Sequence, residues 1–214
     1  MTLKLYMHPL SSYCHKALIA FYENDIPFEK MRVDDAGVGA EFKKMWPVGR
    51  FPVLHDDSRD AMVPESSIII EYLALHYPGK VKLIPDNPDL ARKVRMRDRF
   101  FDNYLHAAVQ KFAFDSLRPK DKHDTYGVDE ARAMYRTALD MVETAMAGSQ
   151  WALGDDFTMA DCAAAPPLFY GNRFFGSFRS SHKNAAAYLD RLMARPSYAR
   201  ALKEAEPYFH MLPA

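Results

Sequence analysis

Two serine hydroxyls and a thiol lie close together in the loop of residues 8–14, where a strand pattern gives way to a helix pattern. Backbone N–H groups at the start of a helix are unpaired and the helix dipole is positive there, so an anion is stabilised at this position. The hydroxyl of Ser11 or Ser12 can donate one more hydrogen bond to that anion. The alternative interpretation is that the serine only caps the helix.

A proline interrupts the apolar segment 49–54, whose sequence is GRFPVL. Proline cannot donate a hydrogen bond within a sheet, so Pro52 belongs at an edge strand or a bulge, as a trans or a cis bond. A strand that opens there leaves backbone groups available to pair with an extended peptide. An ordinary edge-strand proline with no ligand is the alternative.

Charged and hydroxyl side chains open the strongest apolar helix pattern, in residues 64–67, PESS. The N–H and hydroxyl of Ser66, at a helix N-terminus, would hold a carboxylate, and Glu65 beside them would hold an ammonium. An amino-acid head group carries both of these charges. The alternative is that acidic and hydroxyl residues in a first turn serve only as caps.

Composition excludes several classes of partner. The 28 basic and 28 acidic residues cancel, whereas nucleic acid and anionic membranes need a concentrated positive surface. Two cysteines, Cys14 and Cys162, make neither a disulfide framework nor a zinc cluster. We therefore expect a cytoplasmic protein with no bound metal, no nucleic-acid partner and no membrane partner.

Periodicity predicts an α/β fold for the first third of the chain. A strand covers residues 3–7, a helix runs from Ser12 to about Asn24, and a second strand covers 26–33. A short helix at 40–46, a hairpin of 51–55 with 61–63, and a helix at 65–76 complete the order β-α-β-α-β-β-α.

The rest of the chain reads as helical. Three prolines and a glycine mark residues 78–88 as a linker, which separates a domain at 1–77 from an all-α domain at 89–214. Helices are predicted at about 89–118, 127–147, 159–171, 182–195 and 197–206. Because Pro166 and Pro167 fall inside one of them, we expect that helix to kink or end there.

Taken together, these features resemble the glutathione transferase family, in its serine-type, bacterial-like form. The family motif of a proline strand followed by an acidic-Ser pair matches Phe51-Pro52 and Glu65-Ser66. Thr158 and Asp161 match the capping box that starts a core helix of the family's second domain, a structural role. The resemblance covers nearly the whole chain and implies a thioredoxin-like domain that binds glutathione, followed by an all-helical domain.

The resemblance aligns Ser11 with the serine or cysteine that faces the glutathione sulfur. Ser12 is a second candidate, because a one-residue adjustment of the loop would exchange the two. Thioredoxin-like redox proteins have Cys-x-x-Cys in this loop, whereas here the first position is Ser11 and the last is Cys14. We interpret Cys14 as a buried structural residue, with thiol chemistry at Cys14 as the alternative.

The resemblance also implies where the rest of glutathione binds. The chain around a cis Phe51–Pro52 bond, with Val53, would pair with the cysteinyl part, and Glu65 and Ser66 would hold the glutamyl end. In the family the long helix after the linker faces the substrate cleft. Phe101, Tyr104 and Ala108 there follow the spacing i, i+3, i+7 and would line an apolar pocket for the second substrate, unless they form the core face of the helix.

The expected function is conjugation of glutathione, bound as thiolate, to an electrophilic small molecule by a homodimeric detoxification enzyme. A glutathione-dependent isomerase, a dehalogenase or a thiol transferase on the same scaffold is an alternative. A protein that binds glutathione without turnover is another, because a fold can be retained after its activity is lost.

Overall fold

The computed structural model describes residues 2–213, and its contacts divide the chain into two compact units. The first unit extends through Ile84 and also takes in Pro196–Phe209. The second comprises Pro85–Arg195 and the residues from His210 onward.

The first unit is built on a four-stranded sheet. Its strands are β1 (Leu3–Met7), β2 (Glu29–Arg32), β3 (Val53–Asp56) and β4 (Ala61–Pro64), and its helices are α1 (Ser12–Glu23), α2 (Val38–Met45), α3 (Ser66–His76) and α9 (Pro196–Ala205). The strands lie in the order β2-β1-β3-β4. β1 and β2 are parallel, and the other two pairs are antiparallel. The predicted thioredoxin-like order is confirmed.

Helix α1 is buried from Cys14 to Glu23, because α3 and α9 both pack against it. The α9 contacts include a hydrogen bond of 2.6 Å from the Tyr22 hydroxyl to Glu204 and one between Ser197 and Glu23. These contacts group α9 with the first unit, whereas the sequence analysis placed it with the helical domain.

The second unit consists of helices, as expected. They are α4 (Pro88–Phe100), a π-helical segment (Phe101–His106), α5 (Ala107–Ser116), α6 (Thr125–Ala145), α7 (Met159–Phe174) and α8 (Lys183–Ala194), with short 3-10 turns at Lys120–Lys122 and Met146–Gly148. The continuous helix predicted over 89–118 is therefore interrupted by a π-helical segment, which the sequence pattern does not indicate.

Helix α7 does not end at its prolines. It continues through Pro166 and Pro167 to Phe174, so the expectation of an early end there is wrong. Its fully buried surroundings explain this, because Tyr135 of α6 packs against Gly171 and donates a hydrogen bond of 3.2 Å to the Pro167 carbonyl. Packing of this kind outweighs the local penalty of proline in a helix.

The helices formed by residues 2–213 include none that combines the length and the apolar character needed to cross a membrane.

Candidate active site

The sheet register brings three predicted site segments to one end of the first unit. Tyr6 near the end of β1 pairs with Val53 at the start of β3, and Val53 pairs with Pro64 at the end of β4. Three segments therefore leave the sheet at the same end of its strands: the loop after β1, the Phe51–Pro52 segment before β3, and Glu65 after β4. Segments more than 50 residues apart in the sequence thus share one site.

Ser11 is the N-cap of α1, and its Oγ accepts a hydrogen bond of 3.3 Å from the Cys14 N–H. Its backbone is extended, with φ −73° and ψ 118°, as is usual for an N-cap residue. Ser12 is the first residue of the helix. Both serines are half-buried, and both lie where helix N–H groups favour an anion.

The Cys14 thiol is fully buried. Burial raises its pKa to about 12, outweighing the opposing hydrogen bonds from the Ser11 side chain and the His8 backbone. A thiol with so high a pKa is almost entirely protonated at neutral pH and is a poor nucleophile. These observations favour the structural interpretation of Cys14 over thiol chemistry.

Two histidines hold the loop that carries Ser11. The Leu10 N–H donates to Nδ1 of His8 over 3.2 Å, and the Ser11 N–H donates to the His8 carbonyl over 3.0 Å. From the other side, Nε2 of His15 lies 2.6 Å from the Pro9 carbonyl. The sequence analysis did not assign a role to either histidine.

The Phe51–Pro52 peptide bond is cis, which confirms that prediction. Pro52 and Val53 are buried and Phe51 is half-buried. Phe51 packs in a cluster around Tyr6, Phe42 and Val53, so the turn into β3 is fixed by apolar contacts on one side.

Glu65 has an unusual backbone conformation at the start of α3, with φ 71° and ψ 120°. A non-glycine residue rarely adopts a positive φ, and such strain persists where the surrounding structure imposes it, commonly at ligand sites. The Glu65 side chain is exposed, and Ser66, the first residue of α3, is buried. Glu65 is therefore the N-cap residue of α3, and the helix begins at Ser66.

A buried lysine ties this second site segment to the first. Lys16 of α1 is fully buried and donates a hydrogen bond of 2.8 Å to the Ser67 hydroxyl, in the first turn of α3. An ammonium beside a helix N-terminus adds positive charge at a point that is already positive, which strengthens attraction for a carboxylate. The sequence signal is a lysine directly before the apolar run of residues 17–21, and the sequence analysis did not use it.

The three residues predicted for the second-substrate pocket lie in the second unit and differ in environment. Phe101 is buried in the π-helical segment, and Tyr104 in the same segment is 45% exposed. Ala108 of α5 lines an open cavity of about 660 Å³, which α5 and α6 border. The spacing i, i+3, i+7 marks one face only in an α-helix, and the π-helical segment changes that spacing.

The predicted capping box at the start of α7 is present. The Asp161 carboxylate accepts from the Thr158 N–H over 2.8 Å, from the Ala152 N–H over 2.8 Å and from the Tyr188 hydroxyl over 2.6 Å. Asp161 is fully buried and joins three separate segments of the second unit. Its surroundings fit a structural role.

Within residues 2–213 no group of three or more histidine, cysteine or acidic side chains is arranged to hold a metal ion.

Comparison with known proteins agrees with this architecture. Residues 5–81 match the family model described as "Glutathione S-transferase, N-terminal domain", and residues 105–196 match "Glutathione S-transferase, C-terminal domain". Glutathione S-transferase GstB of Escherichia coli is 26% identical over 87% of this chain and 91% of its own length. A stringent starvation protein A homolog of Haemophilus ducreyi is 24% identical over 91% of this chain and 87% of its own length.

Solved structures show the same likeness. A glutathione S-transferase from Methylobacterium radiotolerans, in complex with glutathione sulfonate, is 28% identical and superposes with a TM-score of 0.80 over 94% of each chain. One from Methylobacillus flagellatus with glutathione bound has a TM-score of 0.84 at 22% identity, over 94% of this chain and 98% of that one. The fold, the site geometry and the two family models lead to one conclusion: the chain belongs to the glutathione S-transferase family.

Proposed function

We propose that this protein binds glutathione as its thiolate and conjugates it to an electrophilic small molecule. One observation carries the proposal. The register of β1, β3 and β4 brings three features to the same end of the sheet: the Ser11 loop, the Phe51–Pro52 turn and the strained Glu65. Each feature alone has a structural explanation, whereas together they complement the parts of a thiol tripeptide.

The glutamyl and cysteinyl parts of glutathione then each have a partner in the first unit. The glutamyl ammonium binds at the exposed Glu65 carboxylate, and the glutamyl carboxylate binds at Ser66 and the N-terminus of α3, where Lys16 adds positive charge. The cysteinyl backbone pairs with the chain beside Pro52, between Phe51 and Val53. The sulfur then lies at the N-terminus of α1, facing Ser11.

Ser11 favours the thiolate because its hydroxyl donates a hydrogen bond to the sulfur. A free thiol with a pKa of about 8.5 is only a few per cent ionised at neutral pH. Lowering that pKa by about two units takes about 2.7 kcal/mol of anion stabilisation. A hydrogen bond to an anion together with a helix N-terminus supplies an amount of this size.

The test is the pH dependence of conjugation in Ser11→Ala. We expect kcat/KM to fall by about tenfold to a hundredfold at neutral pH, for a loss of about 1.4 to 2.7 kcal/mol. The loss should shrink as the pH rises, because hydroxide then ionises the thiol without help. Glutathione affinity should change little, since Glu65 and the helix N-terminus remain.

Ser12→Ala and Cys14→Ala are the matched controls. If Ser12→Ala alone shows the altered pH profile, the donor is Ser12. If only Cys14→Ala loses activity, the protein is a cysteine-type thiol transferase and the proposed mechanism is wrong. A panel of aryl halides, epoxides, isothiocyanates, peroxides and maleyl compounds, assayed with and without glutathione, would identify the electrophile and separate conjugation from isomerase or dehalogenase activity.

A glutathione-binding protein without turnover is the second candidate. It is favoured by the stringent starvation protein A homologs among the relatives, whose names do not describe a transferase. Retention on glutathione resin with no reaction of any electrophile in the panel would support it. Our proposal also includes a homodimeric assembly and a cytoplasmic location, as expected for the family.

A further inference from the structure

His8 lies at the junction between β1 and the loop that carries Ser11, and its side chain is mostly enclosed. Side-chain rings of Phe51 and Tyr208 lie 6.4 and 6.5 Å from its ring, centroid to centroid. Its Nδ1 receives the Leu10 N–H, and its carbonyl receives the Ser11 N–H. One residue therefore fixes two successive amides of this loop.

We propose that His8 is a positioning residue whose neutral imidazole holds the Ser11 loop in shape by accepting the Leu10 N–H at Nδ1. The inference rests on the proposed function, in which the Ser11 hydroxyl donates a hydrogen bond to the glutathione sulfur. The shape of the loop determines where that hydroxyl lies. His8 itself does not contact the sulfur in this scheme.

Elementary chemistry fixes the protonation state that this contact needs. A backbone N–H can only donate, so Nδ1 of His8 must present its lone pair. The single ring proton of the neutral form is then on Nε2, which lies 3.9 Å from Oδ2 of Asp34. A second proton would fall on Nδ1 and place two donors against each other, and the contact with Leu10 would be lost.

His15 must instead donate a hydrogen bond in its own contact with the loop, at Pro9. The Pro9 carbonyl can only accept, so Nε2 of His15 must carry a proton. That contact survives whether His15 is neutral or protonated. Only the His8 contact is therefore sensitive to pH in the range where histidines titrate.

Charged groups of the first unit surround His8 on the side of β2 and the C-terminal segment. Asp34 favours the protonated form, whereas Arg32 disfavours it. Arg32 is itself paired with Asp34 over 2.6 Å and donates to the Tyr208 hydroxyl over 2.7 Å. A small cavity next to this cluster is lined by Pro9, Lys30, Arg32, Glu204 and Tyr208, among others.

Burial is the largest influence on His8 and lowers its pKa, so the neutral form persists below the usual histidine pKa of about 6.5. The loop contact is therefore complete at neutral pH and is lost as the pH falls through the lowered pKa. We therefore expect two protonation steps on the acid side of the pH profile of kcat, one that belongs to the bound thiol and one that belongs to His8.

The experiment compares His8→Asn and His8→Ala with the wild type. Asparagine places its Oδ1 where Nδ1 of His8 lies and commonly accepts from the amide two residues on, without titrating. We expect His8→Ala to lower kcat by about tenfold, with KM for glutathione within about twofold, as for a misplaced donor. His8→Asn should restore kcat to within about threefold and keep only the protonation step of the bound thiol.

A second readout does not depend on turnover. In the 15N-labelled wild type, the Leu10 and Ser11 amide resonances should shift with the titration of the His8 ring, and in His8→Asn they should not. His55→Asn is the matched control, since His55 is a half-exposed histidine of β3 that pairs with Asp57 outside the site. It should leave both readouts unchanged.

The outcomes separate this inference from the proposed function. If the wild type conjugates glutathione but its Leu10 amide does not respond to the His8 titration, or His8→Asn keeps both protonation steps, the inference is wrong and the function stands. If no electrophile reacts but the amide follows His8 in the wild type and not in His8→Asn, the loop contact stands and the function is wrong. A misfolded His8→Ala leaves both tests intact, because the wild type and His8→Asn provide them.

Discussion

The Ser11 hydroxyl has separate capacities to accept and to donate hydrogen bonds. It accepts the Cys14 N–H as the cap of α1, which uses a lone pair and leaves the hydroxyl proton available for an anion. Capping and sulfur activation are therefore compatible roles for one side chain. A variant that removes the proton also removes the cap, so its stability must be measured alongside its activity.

Ser11→Gly separates the two roles. Glycine at an N-cap costs only a few tenths of a kcal/mol, whereas alanine costs about 1 kcal/mol. Both variants lack the hydroxyl. We therefore expect the same loss of kcat/KM in Ser11→Gly and Ser11→Ala, but a lower thermal midpoint only in Ser11→Ala. If activity follows the thermal midpoint instead, Ser11 acts through the helix and not through the sulfur.

Glu65 combines an exposed carboxylate with a strained backbone, and these two properties can also be tested separately. Glu65→Ala and Glu65→Gly both remove the carboxylate, and each should weaken glutathione binding by about 2 kcal/mol, the scale of a lost charged hydrogen bond. Only glycine adopts φ 71° without steric cost. Glu65→Gly should therefore unfold at a higher denaturant concentration than Glu65→Ala. The difference in the free energy of unfolding should be up to about 1 kcal/mol.

Equal stability of the two variants would show that the positive φ at Glu65 is not strained. Unchanged glutathione affinity in folded Glu65→Ala would instead remove Glu65 from the proposed site. The two measurements, chemical unfolding and calorimetric titration with glutathione, address different properties of the same residue.

At the scale of the elements, Asp56 joins the end of β3 to α3. It is fully buried and accepts hydrogen bonds from the Ser58 N–H and hydroxyl, from the Tyr72 hydroxyl and from the Tyr77 hydroxyl. Burial alone would raise the pKa of Asp56, but the hydrogen bonds from Ser58, Tyr77 and Tyr72 outweigh it and hold the pKa well below its usual range. The ionised carboxylate is therefore the form that stabilises the fold.

We expect Asp56→Asn to lower the free energy of unfolding by about 2 kcal/mol at neutral pH, because several donors lose a charged acceptor. A lowered folded-state pKa contributes stability that is complete above the unfolded-state pKa of about 3.9 and is lost as the pH falls through the folded-state value. The gap between wild type and variant should therefore be constant above about pH 5 and narrow below about pH 4. Urea unfolding of the wild type and Asp56→Asn across this pH range measures the gap in the free energy of unfolding.

Asp57→Asn is the control for Asp56→Asn. Asp57 is next along the chain and pairs with Lys4 at the surface over 2.9 Å, so its loss should cost less than about 1 kcal/mol. A gap between wild type and Asp56→Asn that does not change below pH 4 would contradict the assignment of an ionised Asp56.

The contact between α6 and α7 depends on a glycine. A methyl group at Gly171 would collide with the ring of Tyr135, which is buried and cannot move away easily. Gly171→Ala should therefore lower the free energy of unfolding by about 1 to 3 kcal/mol, as overpacking usually does. Gly148→Ala, where the added methyl meets nothing within 4 Å, should be nearly neutral. A neutral Gly171→Ala in urea unfolding would show that the two helices adjust.

Local signals explain which elements could be predicted from the sequence. The capping box at Thr158 and Asp161 and the proline turn at Phe51–Pro52 are encoded within four residues or fewer, and both are present. The passage of α7 through Pro166 and Pro167 depends instead on burial against other helices, which local propensity does not contain. The π-helical segment likewise has no local marker in its sequence.

The same division applies to the candidate site. Ser11 and Glu65 stand out in the sequence because each opens a helix after a strand. The roles of His8 and Lys16 depend on contacts with Leu10 and Ser67. The contact of His8 with Leu10 depends on a ring orientation that sequence spacing does not determine. The contact of Lys16 with Ser67 joins residues 51 positions apart.

At the scale of the whole molecule, the first unit exposes apolar side chains on α3. Ile68 is 51% exposed and Leu75 is 73% exposed, and their spacing of seven residues places them on the same face of the helix. Met62 on β4, which lies at an edge of the sheet, is also exposed. Apolar groups presented together on one unit indicate a protein–protein contact more strongly than scattered ones do.

We therefore predict that this face of α3 contributes to the interface of the proposed homodimer. Most soluble oligomers are two-fold dimers, in which the same patch of each copy takes part. The wild type should sediment as a dimer at micromolar concentration, and Ile68→Glu combined with Leu75→Glu should sediment as a monomer, because each copy would place two charges in an apolar contact. Leu117→Glu is the matched control, since Leu117 is equally exposed at the end of α5, and it should remain dimeric. A wild type that sediments as a monomer would contradict the dimer, whereas a dimeric double variant would show that another surface forms it.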